Sequence, residues 1–285
     1  MRRGLRQSFP DLGPPWEPGP LTSIPEILMS RSNSLRNASL TLALACGFAG
    51  TLAAQDAQTQ KWENTVTLYG WAAAMSGTEA IGPISMTVDV PFSDIMDNLK
   101  MGAMLNYVGR GKTWVTGADF IYMKLGSDLA VPSTGTTVAE VKVKQWLFEV
   151  DGGYRVLPWL DALIGVRVPV IEAEFVPNTD NPNFSAKSQS ESWFAPLIGA
   201  RAIVPLSKHF TVIARGDLGG FQIGGTNTTW QAAGYVNYKF GKHFSGDLGY
   251  RAINADYATG TKGQQGYFQY DITNFGGLLG ISYTF

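Results

Sequence analysis

From Thr65 onward, apolar and polar residues alternate with a period of two in runs of about ten residues, and turn-forming residues separate the runs. The clearest run sets Leu160, Ala162, Ile164, Val166, Val168 and Val170 against Asp161, Gly165 and Arg167. Phe210, Val212, Ala214, Gly216 and Leu218 oppose Thr211, Arg215 and Asp217 in the same way. Trp230, Ala232, Val236, Tyr238 and Phe240 oppose Gln231, Asn237 and Lys239; Phe244, Leu248, Tyr250 and Ala252 oppose Ser245, Asp247 and Arg251. Just beyond, Ile253 and Asn254 fall on the wrong faces. The pattern predicts strands over 65–75, 101–110, 113–125, 138–156, 159–174, 193–205, 210–223, 229–240, 244–257 and 267–285.

The connections alternate in length. Arg110-Gly111-Lys112, Leu157-Pro158, Leu206-Ser207-Lys208 and Gly241-Lys242 are tight, whereas Gly126–Thr136, Pro177–Ser192, Gly224–Thr228 and Ala258–Gly266 are long and polar. Aromatic residues gather near strand ends on the apolar face. A soluble sandwich also alternates, but long, evenly spaced strands with aromatic ends and unequal connections fit strands that cross a membrane. The expected fold is therefore an all-β, closed antiparallel transmembrane barrel of about ten strands, with short periplasmic turns and longer extracellular loops. An even count places both chain ends in the periplasm; eight or twelve strands fit the same turns. The ambiguous stretch is 77–100, a long loop or insert in which Ile84–Val90 suits a further strand and Phe92–Leu99 a short amphipathic helix.

Composition narrows the classes. The 285 residues carry a net charge of −1, 16% charged residues and 12% aromatics, which makes no electrostatic case for nucleic acid. Residues 1–28 are Pro-rich and aperiodic, and are expected to be a non-native or disordered leader. Met29 opens a stretch with Arg31 and Arg36, then the apolar Ala38–Gly50, then small residues up to Ala54, which reads as a signal peptide over 29–54. That apolar run is about a dozen residues, short of the roughly 20 a membrane helix needs. Residues 55–64 would be a periplasmic segment and 65–285 the barrel domain. The single cysteine, Cys46, lies in the segment expected to be removed, which leaves no disulfide or thiol chemistry.

Over 65–285 the chain resembles the bacterial outer-membrane β-barrel proteins, in particular porin-like single-domain members. Its end resembles their assembly signal: Phe285 is terminal, with Leu279, Ile281 and Tyr283 on the same strand face. The resemblance implies the outer membrane of a Gram-negative bacterium, surroundings of lipid and lipopolysaccharide, and insertion by the barrel-assembly machinery.

The alternation sends a second set of residues to the lumen: Asn106, Asp119, Gln145, Glu149, Asp151, Arg167, Arg201, Arg215, Asp217, Lys239, Asp247 and Arg251. Their signs nearly balance. A barrel of this size has little interior beyond what side chains fill, and charges removed from water need partners, so Arg–carboxylate pairs are expected. Glycines stand two residues before Arg155, Arg167, Arg201 and Arg251 and would make room for guanidinium groups. Two roles follow: a network that fills and stiffens the barrel, or a narrow charge-lined pore for small polar solutes.

Catalysis is not expected. His209 and His243, the two histidines, lie beside tight turns, and no Ser/His pairing has useful spacing. Asp94, Asp97 and Asn98 suit a helix start better than a cation site; no metal or cofactor is expected. The polar Pro177–Ser192 segment suits an adhesive or a merely solvated outer loop, and a lipid-modifying hydrolase is the remaining alternative.

Overall fold

A computed structural model describes residues 62–130, 137–178, 187–223, 225–264 and 266–285. The expected leader, the signal peptide and most of 55–64 lie outside the described residues. Twelve strands and one helix follow in chain order: β1 Glu63–Ile81, β2 Ile84–Val90, α1 Phe92–Asn98, β3 Leu99–Arg110, β4 Trp114–Ala130, β5 Thr137–Leu157, β6 Leu160–Pro177, β7 Lys187–Ser192, β8 Ala195–Pro205, β9 Phe210–Gly219, β10 Thr226–Lys239, β11 Phe244–Thr259 and β12 Phe268–Thr284. Ten of them, all but β2 and β7, pair antiparallel in sequence order. β1 and β12 pair from Thr65↔Thr284 to Ile81↔Phe268, which closes the barrel.

The two extra strands belong to the outer ends. β2 folds back on β1, from Met75↔Val90 to Ile81↔Ile84, and α1 then leads into β3, so residues 77–100 hold both the strand and the helix that their pattern suggested. β7 is the upper part of the same line as β8. Both hold one register on β6, with Val170 facing Ser192 and Arg167 facing Ala195. Between them the Trp193 N–H donates to the Pro169 carbonyl at 3.3 Å, and Pro169 has no N–H to return. The expected loop Pro177–Ser192 is therefore shorter: its last residues are strand, while 179–186 lie outside the described residues. The strand expected over 210–223 ends at Gly219, where Gly220, Phe221 and Gln222 adopt positive φ and turn the chain.

The outward faces form an apolar band with aromatic rims. On β12 it runs from Tyr283 through Ile281, Leu279 and Gly277 to Phe275, and on β5 from Tyr154 through Val150 and Phe148 to Trp146. Eight residue steps make roughly 27 Å along a strand, or about 20 Å along the axis at the usual tilt, close to the band of an outer-membrane barrel. Ile164, at mid-band, is 68% exposed, as a lipid-facing side chain is. Above the band the outward faces of β5 and β6 turn ionic, and Lys144 pairs with Glu172 at 3.4 Å.

The interior is only in part the polar, ion-paired filling expected from the sequence. Its periplasmic and central parts are polar, but the outer half is lined by Trp71, Met104, Ile121, Leu147 and Ile253, and above them by Trp193, Tyr257, Tyr270 and Ile272. Ile253, which broke the alternation by sequence, is 4% exposed because its inward position lies in this apolar layer.

Candidate functional site

The central lumen holds one connected ion network. Arg167 on β6 is fully buried; its Nε donates to Glu149 of β5 at 2.7 Å, its Nη2 to Asp217 of β9 at 2.8 Å, and its Nη1 to Thr229 of β10 at 3.0 Å. Arg215 on β9 also bonds Glu149, and reaches Asp151 at 2.9 Å and Asp217 at 3.2 Å. Arg251 on β11 crosses to Asp119 of β4 at 2.6 Å and donates to the Tyr69 hydroxyl of β1 at 2.9 Å. Tyr69 in turn donates to Asp119 at 2.8 Å. Gln231 joins the halves: it accepts from Arg251 and donates to Asp217 at 3.0 Å. Arg251 also lies 5.6 Å from the centroid of the Trp71 ring, at the boundary with the apolar layer.

A second cluster sits nearer the periplasm. Asp161 of β6 is buried and takes Arg201 of β8 at 3.2 Å, Arg110 of β3 at 3.1 Å and Arg155 of β5 at 3.9 Å. Between the clusters, Asp247 of β11 accepts from Asn237 at 2.7 Å and from Ser282 at 2.5 Å.

Nearly all the lumen residues expected from the sequence face inward. Asp119, Glu149, Asp151, Arg167, Arg215, Asp217 and Arg251 form the central network; Asn106 donates to Asp119 at 3.4 Å, and Gln145 to Tyr270 at 3.4 Å. Arg201 belongs to the lower cluster, although it sits directly opposite Arg215 in the ladder. Asp247 is held by amide and hydroxyl groups among the described residues. Lys239 is on the inward parity but exposed at the periplasmic rim, and no ion pair holds its ammonium among the described residues. Sequence reasoning passed over Asp161, Arg110, Tyr69, Gln231 and Thr229, all of them inward by parity. Tyr69 and Thr229 carry no charge to mark them, Asp161 and Gln231 stand on the polar side of the alternation itself, and Arg110 falls in an expected tight turn.

The glycines act differently from expectation. A Cβ on Gly165 would meet Asp151, one on Gly199 would meet Asp217, and one on Gly249 would meet Tyr235. They admit the neighbouring strand, its backbone carbonyl and the base of its inward side chain, rather than a guanidinium. The histidines stand apart from the network: Nδ1 of His209 hydrogen-bonds the Lys239 carbonyl at 3.0 Å, and that of His243 the Thr284 carbonyl at 2.7 Å, both at the periplasmic turns. On α1, Asn98 donates to the Asp94 carbonyl at 2.8 Å, which is helix-end chemistry.

A closed ten-stranded barrel, apolar and aromatic-rimmed outside and ion-paired within, defines a transmembrane β-barrel of the Gram-negative outer-membrane type. No family model and no curated protein matches the chain. Among solved structures it is similar to Ail, the attachment invasion locus protein of Yersinia pestis, at 12% identity and a TM-score of 0.37, covering 80% of this chain and 100% of that one. It is also similar to the outer membrane protease OmpT from Escherichia coli, at 10% identity and TM-score 0.44 over 81% and 100% of the two chains. A third is the translocator domain of autotransporter NalP from Neisseria meningitidis, at 15% identity and TM-score 0.40 over 87% and 97%.

Proposed function

We propose that this protein is a structural outer-membrane barrel whose lumen is sealed at its centre and carries no steady ion current. The observation behind this is the burial of Arg167 and Glu149 in mid-lumen, tied to β5, β6, β9 and β10 at once. An aqueous pore would leave such groups hydrated; here Arg167 is 0% exposed. Cavities of about 70 and about 60 Å³ lie on either side of the network, each large enough for a few waters. The same reading makes the barrel non-catalytic, surrounded by lipid and lipopolysaccharide. Its insertion is assigned to the assembly machinery acting on the outward, exposed Leu279, Ile281, Tyr283 and Phe285.

Planar-bilayer recording of the refolded protein tests it. The expected trace is flat, with openings only when Arg167 and Glu149 are both replaced by alanine. Steady wild-type conductance that changes with Arg201→Ala or Arg215→Ala would replace this reading with a narrow channel for small polar solutes.

A further inference from the structure

The cluster around Asp161 is short of negative charge. Arg110, Arg155 and Arg201 approach its two carboxylate oxygens at 3.1, 3.9 and 3.2 Å, so three guanidinium groups share a single counter-ion. Among the described residues no second carboxylate pairs with any of the three. Glu63 stands opposite Arg110 in the ladder of β1 and β3, but it is exposed and makes no ion pair with it. The central network has the opposite excess, with Asp119, Glu149, Asp151 and Asp217 against Arg167, Arg215 and Arg251. No ion pair among the described residues joins the two clusters. Charges withdrawn from water need partners, and here two positive charges have none in contact.

The N–H groups are short of acceptors as well. Among the described residues the Arg155 guanidinium donates no hydrogen bond, its 3.9 Å approach to Asp161 being beyond reach of one, and Arg110 donates only through Nη2. Nε of each is buried with no acceptor. Empty buried donors in an otherwise satisfied interior mark a place where an ion or water belongs. Solute can reach the cluster. Arg110 ends β3 beside the Gly111-Lys112 turn, and Arg155 and Asp161 flank the Leu157-Pro158 turn, both of them periplasmic. Arg110 and Arg155 keep 13% and 24% of their side chains open, whereas Asp161 is wholly buried. A solute arriving from the periplasm therefore meets the cations and not the carboxylate. Lys239, inward by parity and exposed at the same rim, adds to the positive field.

We propose that this periplasmic mouth is a binding site for a doubly charged oxyanion, a phosphate group, held by the guanidinium groups of Arg110 and Arg155 and by the charge of Arg201 behind them. The excess of two positive charges matches a dianion. Guanidinium forks also suit the paired oxygens of a phosphate better than a single spherical ion. Asp161 holds the three arginines together from the buried side, and its own charge keeps the affinity modest. The site needs no open lumen, because the mouth is reached from the periplasm whether or not the centre conducts.

Titration calorimetry of the refolded full-length barrel in detergent micelles, with inorganic phosphate as the probe, tests this. One saturable site with a Kd on the order of 1 mM or tighter is expected, displaced by sulfate and far less by chloride or acetate. Glycerol 3-phosphate separates the two sources: equal binding assigns a phosphate borne on a larger solute, rejection assigns the free ion, and either supports the site. Arg155→Gln removes the guanidinium that makes no hydrogen bond, so it should weaken binding roughly tenfold while the urea midpoint moves little. Arg155→Lys should recover only part of that loss. Asp161→Asn, if it keeps the heat-shifted gel mobility of a folded barrel, should tighten binding several-fold by enlarging the positive excess. Lys208→Gln, on another periplasmic turn, should change nothing. Absence of saturable phosphate binding, or wild-type affinity in Arg155→Gln, would overturn the site. So would a loss in Lys208→Gln as large as in Arg155→Gln, since attraction to surface cations would then account for the whole signal. Equal competition by chloride or acetate would overturn the selection for a double charge.

Discussion

Replacing Arg167 with methionine tests the central network most directly, because this side chain is fully buried and joins three neighbours. The substitution removes bonds of 2.7 Å to Glu149, 2.8 Å to Asp217 and 3.0 Å to Thr229, and fills most of the volume with an apolar chain. What remains is one buried negative charge left without its counter-ion. Breaking a buried pair by removing one partner usually costs about 3–5 kcal/mol, because the surviving charge is left in a poorly solvating site. Arg215 still contacts both Glu149 and Asp217, and Gln231 still donates to Asp217, so the loss belongs at the low end, about 3 kcal/mol. That corresponds to more than a hundredfold in the folding equilibrium.

Urea unfolding in phospholipid vesicles, followed by tryptophan fluorescence, reads this as a lower midpoint with an unchanged slope, since the surface exposed on unfolding is the same. The second arm adds Glu149→Leu. If uncompensated charge is the cause, the double variant regains at least half of the loss, because a matched apolar pair in place of a buried ion pair is close to neutral. A single-variant cost under about 1 kcal/mol, the size of an exposed pair, would refute the sealed network. So would a double variant that is worse than the sum of its parts.

Three further outcomes are expected. Ile164→Arg, at mid-band on the outward face, should cost about 2–4 kcal/mol in vesicles; a neutral result would contradict the lipid-facing assignment of that face. Gly249→Ala should destabilise by about 1–3 kcal/mol because its Cβ would overlap Tyr235, whereas Gly70→Ala, with open space around it, should be silent in the same unfolding assay. Deleting Phe285 should cut the cellular yield of folded barrel several-fold while the refolded protein keeps near-wild-type thermal stability; an unchanged yield would remove its assigned part in assembly.

Most of the architecture was legible because lipid outside and polar groups inside impose a period of two on each strand, and that period survives in runs such as Leu160–Val170. Parity alone then sorts inward from outward residues. It does not say who meets whom: Arg251 on β11 reaches Asp119 on β4, a contact that exists only once the barrel has closed. Two places were illegible for opposite reasons. β7, KSQSES, lies above the membrane with polar residues on both faces, so it has no alternation and resembles loop. The outer half of the lumen is apolar, so Ile121, Leu147 and Ile253 sit beside outward apolar residues and the alternation blurs there too. The glycines before the arginines were visible, but their purpose was not, since the side chains they admit come from the neighbouring strand.

The order of the layers explains how charges this deeply placed are held. Taking Arg167, Glu149 and Asp217 out of water is costly, and their attraction offsets that cost only where water is kept away and the remaining donors and acceptors are satisfied. The apolar layer directly above, with Trp71, Ile121, Leu147 and Ile253, offers water few partners on the outer side and lowers the local dielectric, which strengthens each pair beneath it. Below, Asp247 with Asn237 and Ser282, and then the Asp161 cluster, fill the periplasmic side with carboxylates whose hydrogen bonds are already committed. The cavity of about 60 Å³ above the network is walled largely by this apolar layer and reaches Arg167. Replacing that apolar wall with polar side chains would bring water to Arg167 and weaken the pairs that hold the strands together.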